Sequence, residues 1–559
     1  MIRLRVGLLL AAALGALPAV AHAQGDTLRY VFHYSRAPGQ AARLGVDVDF
    51  RGERSGRTLL VLPTTWAGED SLFNEIVSIQ GGPGVTVGPQ VDGARLLTHA
   101  PGAPVHVHYE LRQDWGGPLR YATFHRLVLD STRVLFNETN ALVFPQRAAT
   151  ATPVLQYQWT GLPANWRILT SFGSKASFSG AVSLREFAAA AFAAGDFRLV
   201  GAASGAGGMT IAAQGRWPFT DDTLAAMVRS LWGAETHFWG APAFEHPFVL
   251  LLPIADAGAF AGTAFTAGFV AVADSVVTIH AIGRLLAHEL FHLWNGQRLA
   301  ATSTEARYKW ITEGFTDYYA DRIFHELGYY SDSVYLMRVN TTLRDYYTSA
   351  VARSTRRDVA DRFWTDAAMK AYPYAQGYAL ALYLQPNLRR WSGTRFDLDS
   401  LMVAAYRGSG GQNEEMTDSL LVDAAPAGVR APLAGAIARY IDDGAMIPGD
   451  SAALGRCVAM RIQPVFTFDL GFDAGPSMRD HLVQGVRPDG PAARAGIANG
   501  MKLIGWRWDG DYPTAPVLLQ VDDGRGPREV RYPGHGDRFV LAPQYAATPG
   551  APGCLTLQR

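Results

Sequence analysis

Cysteine is nearly absent: 559 residues hold only Cys457 and Cys554. Neither has a Cys-x-x-Cys neighbour, which excludes the usual thiolate metal and redox motifs. Neither sign of charge is in excess, because fifty Lys and Arg are matched by fifty Asp and Glu. Nothing therefore favours a nucleic-acid partner or an anionic membrane surface. No membrane span is expected in the mature chain, since the longest later apolar run, Val249 to Ala271, is broken by Pro253, Asp256 and several glycines. The glycine-rich stretch from Gly201 to Gly215 lacks the Gly-Lys-Ser/Thr ending of a phosphate-binding loop, and Ser204 lacks the preceding glycine of a nucleophile elbow.

What remains is a chain of ordinary globular composition, 48% apolar with mean hydropathy near zero, and long enough for about three domains. Its first 23 residues read as a signal peptide: Arg3 and Arg5 precede an apolar core from Leu8 to Val20, and Ala21-His22-Ala23 forms a cleavage signal. No Arg-Arg pair precedes that core, so the expected route is general secretion to a periplasm. In such an oxidising compartment Cys457 and Cys554, bracketing one C-terminal unit, are expected to form a disulfide.

The chemistry centres on His288-Glu289-Leu290-Phe291-His292, entered through apolar residues at helical spacing from Ile279. Residues four apart share a helix face, so both imidazoles can reach one metal ion, with Glu289 placed as a general base. Downstream, Trp310-Ile311-Thr312-Glu313-Gly314 supplies a third ligand in Glu313, on a second helix that returns beside the first. Asp317 lies one turn further on and can accept the free ring N–H of a ligating histidine.

These motifs, His-Glu-x-x-His followed by Trp294-Asn295 and then Trp-x-x-Glu-Gly-x-x-x-Tyr-Tyr, resemble the gluzincin zinc metallopeptidases, and within them the M61, or glycyl aminopeptidase, family. The resemblance implies one Zn2+ per chain held by His288, His292 and Glu313, with Glu289 as catalytic base and Asp317 behind the ligands. It implies hydrolysis of peptide bonds by a water that Glu289 activates beside the metal. Arg298 falls where the family's Trp-Asn-x-x-Arg run has its basic residue. Tyr372-Pro373-Tyr374-Ala375-Gln376-Gly377 resembles the family's oxyanion motif, with Tyr374 as donor; Gln376 stands where the family usually has lysine, and Tyr372 and Tyr374 also read as packing aromatics. The segment from Gly296 to Lys309 is shorter than the resemblance leads one to expect.

The implied architecture is multidomain α+β: a signal peptide at 1–23, an N-terminal β-sandwich-like domain at 24–190, a thermolysin-like α/β zinc peptidase domain at 191–449 and a PDZ-like domain at 456–559. The last rests on Leu470-Gly471-Phe472 and a later Pro491-Ala492-Ala493-Arg494-Ala495-Gly496 run, and implies capture of a peptide C-terminus by the Gly471 turn and an adjacent strand edge. Peptide or protein substrates are the expected partners. The alternative is a catalytically silent peptide-binding protein, which the intact ligands and base disfavour. An M1-like reading wants Gly-x-Met-Glu-Asn upstream, and none is present. Indeed Ala261 to Phe269 contains no acid to recognise a substrate's free amine, so both exo- and endopeptidase action stay open; Asp256 and Glu305 are the substitutes in view. His106 and His108, on one strand face, are a weaker metal candidate.

Overall fold

A computed structural model describes residues 27–147, 151–201, 208–300, 306–410, 414–508, 510 and 513–548. The proposed signal peptide therefore lies outside the described residues, as do Glu305 and Cys554.

The chain is a multidomain α+β protein. Period-two alternation builds its first unit: Leu28, Tyr30, Phe32 and Tyr34 point inward from Thr27–Ser35, and Leu44, Val46, Val48 and Phe50 from Arg43–Arg51. Six strands form one sheet, in the order Ser177–Ala181, Val154–Thr160, Thr27–Ser35, Arg43–Arg51, Pro104–Leu111, Ile76–Gly81. Two four-stranded sheets accompany it, and the aromatic core includes Phe32, Phe136, Tyr157, Trp159 and Phe192. Strand Ala191–Gly195 pairs with Arg133–Asn137 and Arg167–Thr170. This fully buried central strand lies just beyond the expected boundary at 190.

The next unit opens on a five-stranded sheet in the order Arg198–Leu199, Thr210–Ala213, Phe248–Ile254, Gly268–Asp274, Phe260–Phe265. The apolar run from Val249 to Ala271 thus supplies three strands, and Phe260–Phe265 forms the sheet edge. Helices follow, chiefly Asp221–Trp239, Ile279–Phe291, Thr316–Glu326, Asp332–Thr348 and Ala367–Ser392. Among the described residues no helix is long and apolar enough to cross a membrane.

The C-terminal region is divided. Strands Val458–Phe466 and Phe539–Ala547 form a two-stranded ribbon whose Val458 and Tyr545 join the core of the peptidase unit. Between them lies a small separate core around Leu503, Val517, Leu519 and Val521. The expected peptide-binding turn is not assembled there. Leu470 and Phe472 are buried in that core, the chain continues into helix Ala474–Asp480 rather than a strand, and the Gly471 N–H already donates to Asp469 Oδ1 at 2.7 Å. A peptide carboxylate finds neither that N–H nor a following strand edge. Cys457 is disulfide-bonded, and its expected partner Cys554 lies outside the described residues.

Asn340, on Asp332–Thr348, fastens the ribbon by pairing with both main-chain groups of Tyr545: Nδ2 donates to the carbonyl at 2.8 Å, and Oδ1 accepts the N–H at 2.7 Å. Asn340→Ala leaves both groups without that partner, and a loss of about 1–3 kcal/mol is expected. Thermal or urea unfolding tests this; an unchanged transition would show that the latch carries no stability.

Candidate metal centre and active site

Helix Ile279–Phe291, capped by Thr278, presents His288 and Glu289, and His292 closes its last turn. Beyond it the chain breaks at Asn295 and Gly296, where φ is +148°. This break lets the Asn295 carbonyl turn back to His292 Nδ1 at 3.0 Å. The Asn295 side chain donates to the Ile311 carbonyl at 2.9 Å and to Thr316 Oγ1 at 3.0 Å, so one buried residue ties the histidine helix to the segment carrying Glu313. That segment, Trp310–Phe315, is a π-helical turn running into helix Thr316–Glu326. Such single-turn bulges recur at functional sites.

Three atoms converge from these elements. His288 Nε2 and His292 Nε2 lie 2.9 Å apart, and Glu313 Oε2 stands 3.3 and 3.2 Å from them. Three corners of a tetrahedron with metal–ligand bonds of ~2.0–2.1 Å are about 3.3 Å apart. The tautomers fit as well. His288 Nδ1 lies 2.8 Å from Asp317 Oδ1 and His292 Nδ1 against the Asn295 carbonyl, so both protons sit on Nδ1. Two Nε2 lone pairs are left facing each other beside a carboxylate, an arrangement that calls for a cation. Among the described residues this is the one cluster with metal-ligand geometry. His106 and His108 are instead paired with Asp49 and Asp47 at 2.8 and 2.7 Å.

Burial opposes charge on His288, yet Asp317 and Glu313 outweigh it and raise its pKa to about 10 when no cation is present, so a proton then takes the Nε2 position that a metal ion would fill. Burial likewise works against the Glu313 carboxylate, but Lys309, with Nζ 2.7 Å from Oε1, and the two histidines hold its pKa well below the ordinary value. Glu289 moves the other way: burial raises it, and His288 and His292 only partly offset the rise. Tyr374 is raised well above an ordinary phenol by burial and by Glu313, so it stays a donor at neutral pH.

Two glycines set the approach of Tyr374. Helix Ala367–Ser392 crosses the π-helical turn backbone to backbone: a Cβ on Gly377 would meet the Trp310 carbonyl oxygen at 1.7 Å, and one on Gly314 would meet the Gly377 Cα at 2.5 Å. This contact brings the Tyr374 ring to 6.4 Å from that of His288, nearly parallel to it. Gln376, the departure from the expected lysine, turns away and donates to the Tyr440 carbonyl at 3.0 Å.

On the opposite side lies the edge strand Phe260–Phe265. His125 of the N-terminal unit bonds Thr263 Oγ1 at 2.9 Å, while that hydroxyl donates to the Gly262 carbonyl at 2.8 Å. Burial, with Lys370 nearby, lowers the His125 pKa to about 4, so it is a neutral donor. Asp256 is not free to serve as an amine acceptor here, being bonded to Arg120 and the Tyr121 N–H. Sequence reading missed the roles of His125, Asn295, Lys309 and Gly262, although Asn295 stands in the Trp294-Asn295 motif and Lys309 lies four residues before Glu313.

Residues 282–383, the span from the histidine helix to the tyrosine helix, match the model for the M61 glycyl aminopeptidase family. This match, about a fifth of the chain, contains the His-His-Glu cluster in its first third. No protein of curated function matches the chain significantly by sequence. Among solved structures, an aminopeptidase N family protein from Idiomarina loihiensis aligns over 95% of this chain and 99% of its own, at 15% identity and a TM-score of 0.68. An M1 zinc metallopeptidase from Deinococcus radiodurans aligns over 76% of this chain and 96% of its own, at 17% identity and 0.50. These likenesses concern the fold.

Gly262 yields a test of this site. A Cβ there would sit 2.5 Å from Glu289 Cγ and Oε1, the movable end of a side chain. Gly262→Ala is therefore expected to fold and to keep metal affinity while Glu289 is displaced, lowering kcat on the order of 10²-fold as for loss of a general base. Full activity in the folded variant would show that Glu289 has room to spare.

Proposed function

We propose that the protein is an exported, M61-like peptidase that binds one zinc per chain through His288, His292 and Glu313 and cleaves peptide bonds with Glu289 as general base. The observation that carries the reading is the triangle of two Nε2 lone pairs and one carboxylate oxygen, with both Nδ1 protons already committed. When bound, zinc would supply Lewis-acid polarisation of the scissile carbonyl and the attacking water. The chain's own residues do the rest. An extended peptide pairs with the open side of the edge strand Phe260–Phe265, as strand addition allows. Glu289, basic because burial raises it, takes a proton from the attacking water and passes it to the leaving amine. The Tyr374 hydroxyl, still protonated, donates to the oxygen that gains negative charge.

Elemental analysis of purified protein is expected to find one zinc per chain, lost in His288→Ala. Glu289→Gln is expected to keep the metal while activity on a peptide library falls on the order of 10²-fold or more. Metal-free wild type would overturn the reading; zinc without turnover in wild type would favour a silent peptide-binding protein.

Within this reading, the edge strand offers no carboxylate at Gly262, Thr263 or Ala264, where an exopeptidase would pair the substrate's ammonium. Weak preference for a free N-terminus follows, with cleavage of N-acetylated peptides at rates within about tenfold of their free counterparts, a difference of roughly 1.4 kcal/mol. Matched peptide pairs measure this, and a hundredfold preference for the free amine would refute it.

A further inference from the structure

We propose that Arg284 is a positioning residue for the metal centre: it governs how tightly zinc is held by fixing the Asp317 carboxylate behind His288. The inference rests on the zinc reading above.

Arg284 stands one helical turn before His288, on the same face. Its Nη2 lies 2.8 Å from Asp317 Oδ1, the same oxygen that accepts the His288 Nδ1 proton at 2.8 Å. Its Nε lies 2.6 Å from Asp321 Oδ1. Asp317 and Asp321 are four residues apart on helix Thr316–Glu326, so two like charges share one face, and Asp321 is fully buried. The guanidinium between them offsets their repulsion, and its planar fork holds both carboxylates at once. Arg338 approaches Asp321 only to 3.7 Å and does not reach Asp317. The direction of the Asp317 oxygen, and with it the orientation of the His288 ring, therefore depends on Arg284. The arginine touches neither substrate nor metal; it acts through Asp317.

An ammonium keeps the charge but cannot span both carboxylates as the fork does, so Arg284→Lys isolates the geometric part. Zinc affinity is measured by competition with a chromophoric chelator, and the stability of the zinc-free protein by thermal unfolding. Arg284→Lys is expected to weaken zinc binding by about 10–100-fold, the range for loss of a group that orients a ligand. Asp321→Asn, which keeps the shape and removes the far anchor, is expected to weaken it by a smaller factor of at least three. Asp321→Asn also serves if the lysine variant fails to fold. Variants with wild-type zinc affinity, whether or not their metal-free forms melt earlier, overturn the proposal, since a packing role alone moves only the melting. Wild type that binds no zinc would overturn the metal reading itself, and this proposal with it.

Discussion

Two rows of side chains face each other across a pair of helices, and the site hangs on their complementarity. Arg284, His288 and His292 run along one helix at intervals of four. Asp321, Asp317 and Glu313 run the opposite way along the other, and each rung sets a nitrogen against a carboxylate at 2.6–3.3 Å. These groups are largely withdrawn from water, where an unpaired carboxylate costs several kcal/mol, so no member can leave the ladder without stranding its neighbour. The upper rung differs from the others. Its two imidazoles turn Nε2 toward the Glu313 carboxylate, and only a cation completes it.

The ladder fixes the ligands, but the distances to Glu289 and Tyr374 are set by missing side chains. Gly314 and Gly377 allow two backbones to touch, which no larger residue permits. Gly262 lets the edge strand lie against Glu289. Close packing of this kind leaves little slack, so a single methyl group is felt at the reacting centre.

The flanking units act through the same surfaces. His125 and Trp66, from the N-terminal unit, meet the edge strand at Thr263 and Phe265, the latter as a stacked pair at 5.8 Å. The C-terminal ribbon is held on helix Asp332–Thr348, which in turn packs against the helix that carries Tyr374.

Local rules made the candidate metal ligands readable. Periodicity of four on a helix puts His288 with His292 and Glu313 with Asp317, and any chain with those residues at those intervals presents the same faces. Alternation of period two likewise exposed the N-terminal strands. Arg284 and Asp321 extend the same rows by one turn and were legible in principle, yet nothing in the spacing says that the two rows meet. That was decided by the crossing of the helices, which depends on contacts such as Gly314 against Gly377, sixty-three positions apart in sequence. The same holds for His125, which reaches Thr263 from a loop of the N-terminal unit, and for Ala191–Gly195, which became a strand because two partners lay beside it. Leu470-Gly471-Phe472 marks the opposite case: its letters fit a peptide-binding turn, but Asp469 takes the Gly471 N–H and the core takes both side chains. Spacing along the chain determined which groups share a face; long-range packing, which no local pattern encodes, determined what that face meets.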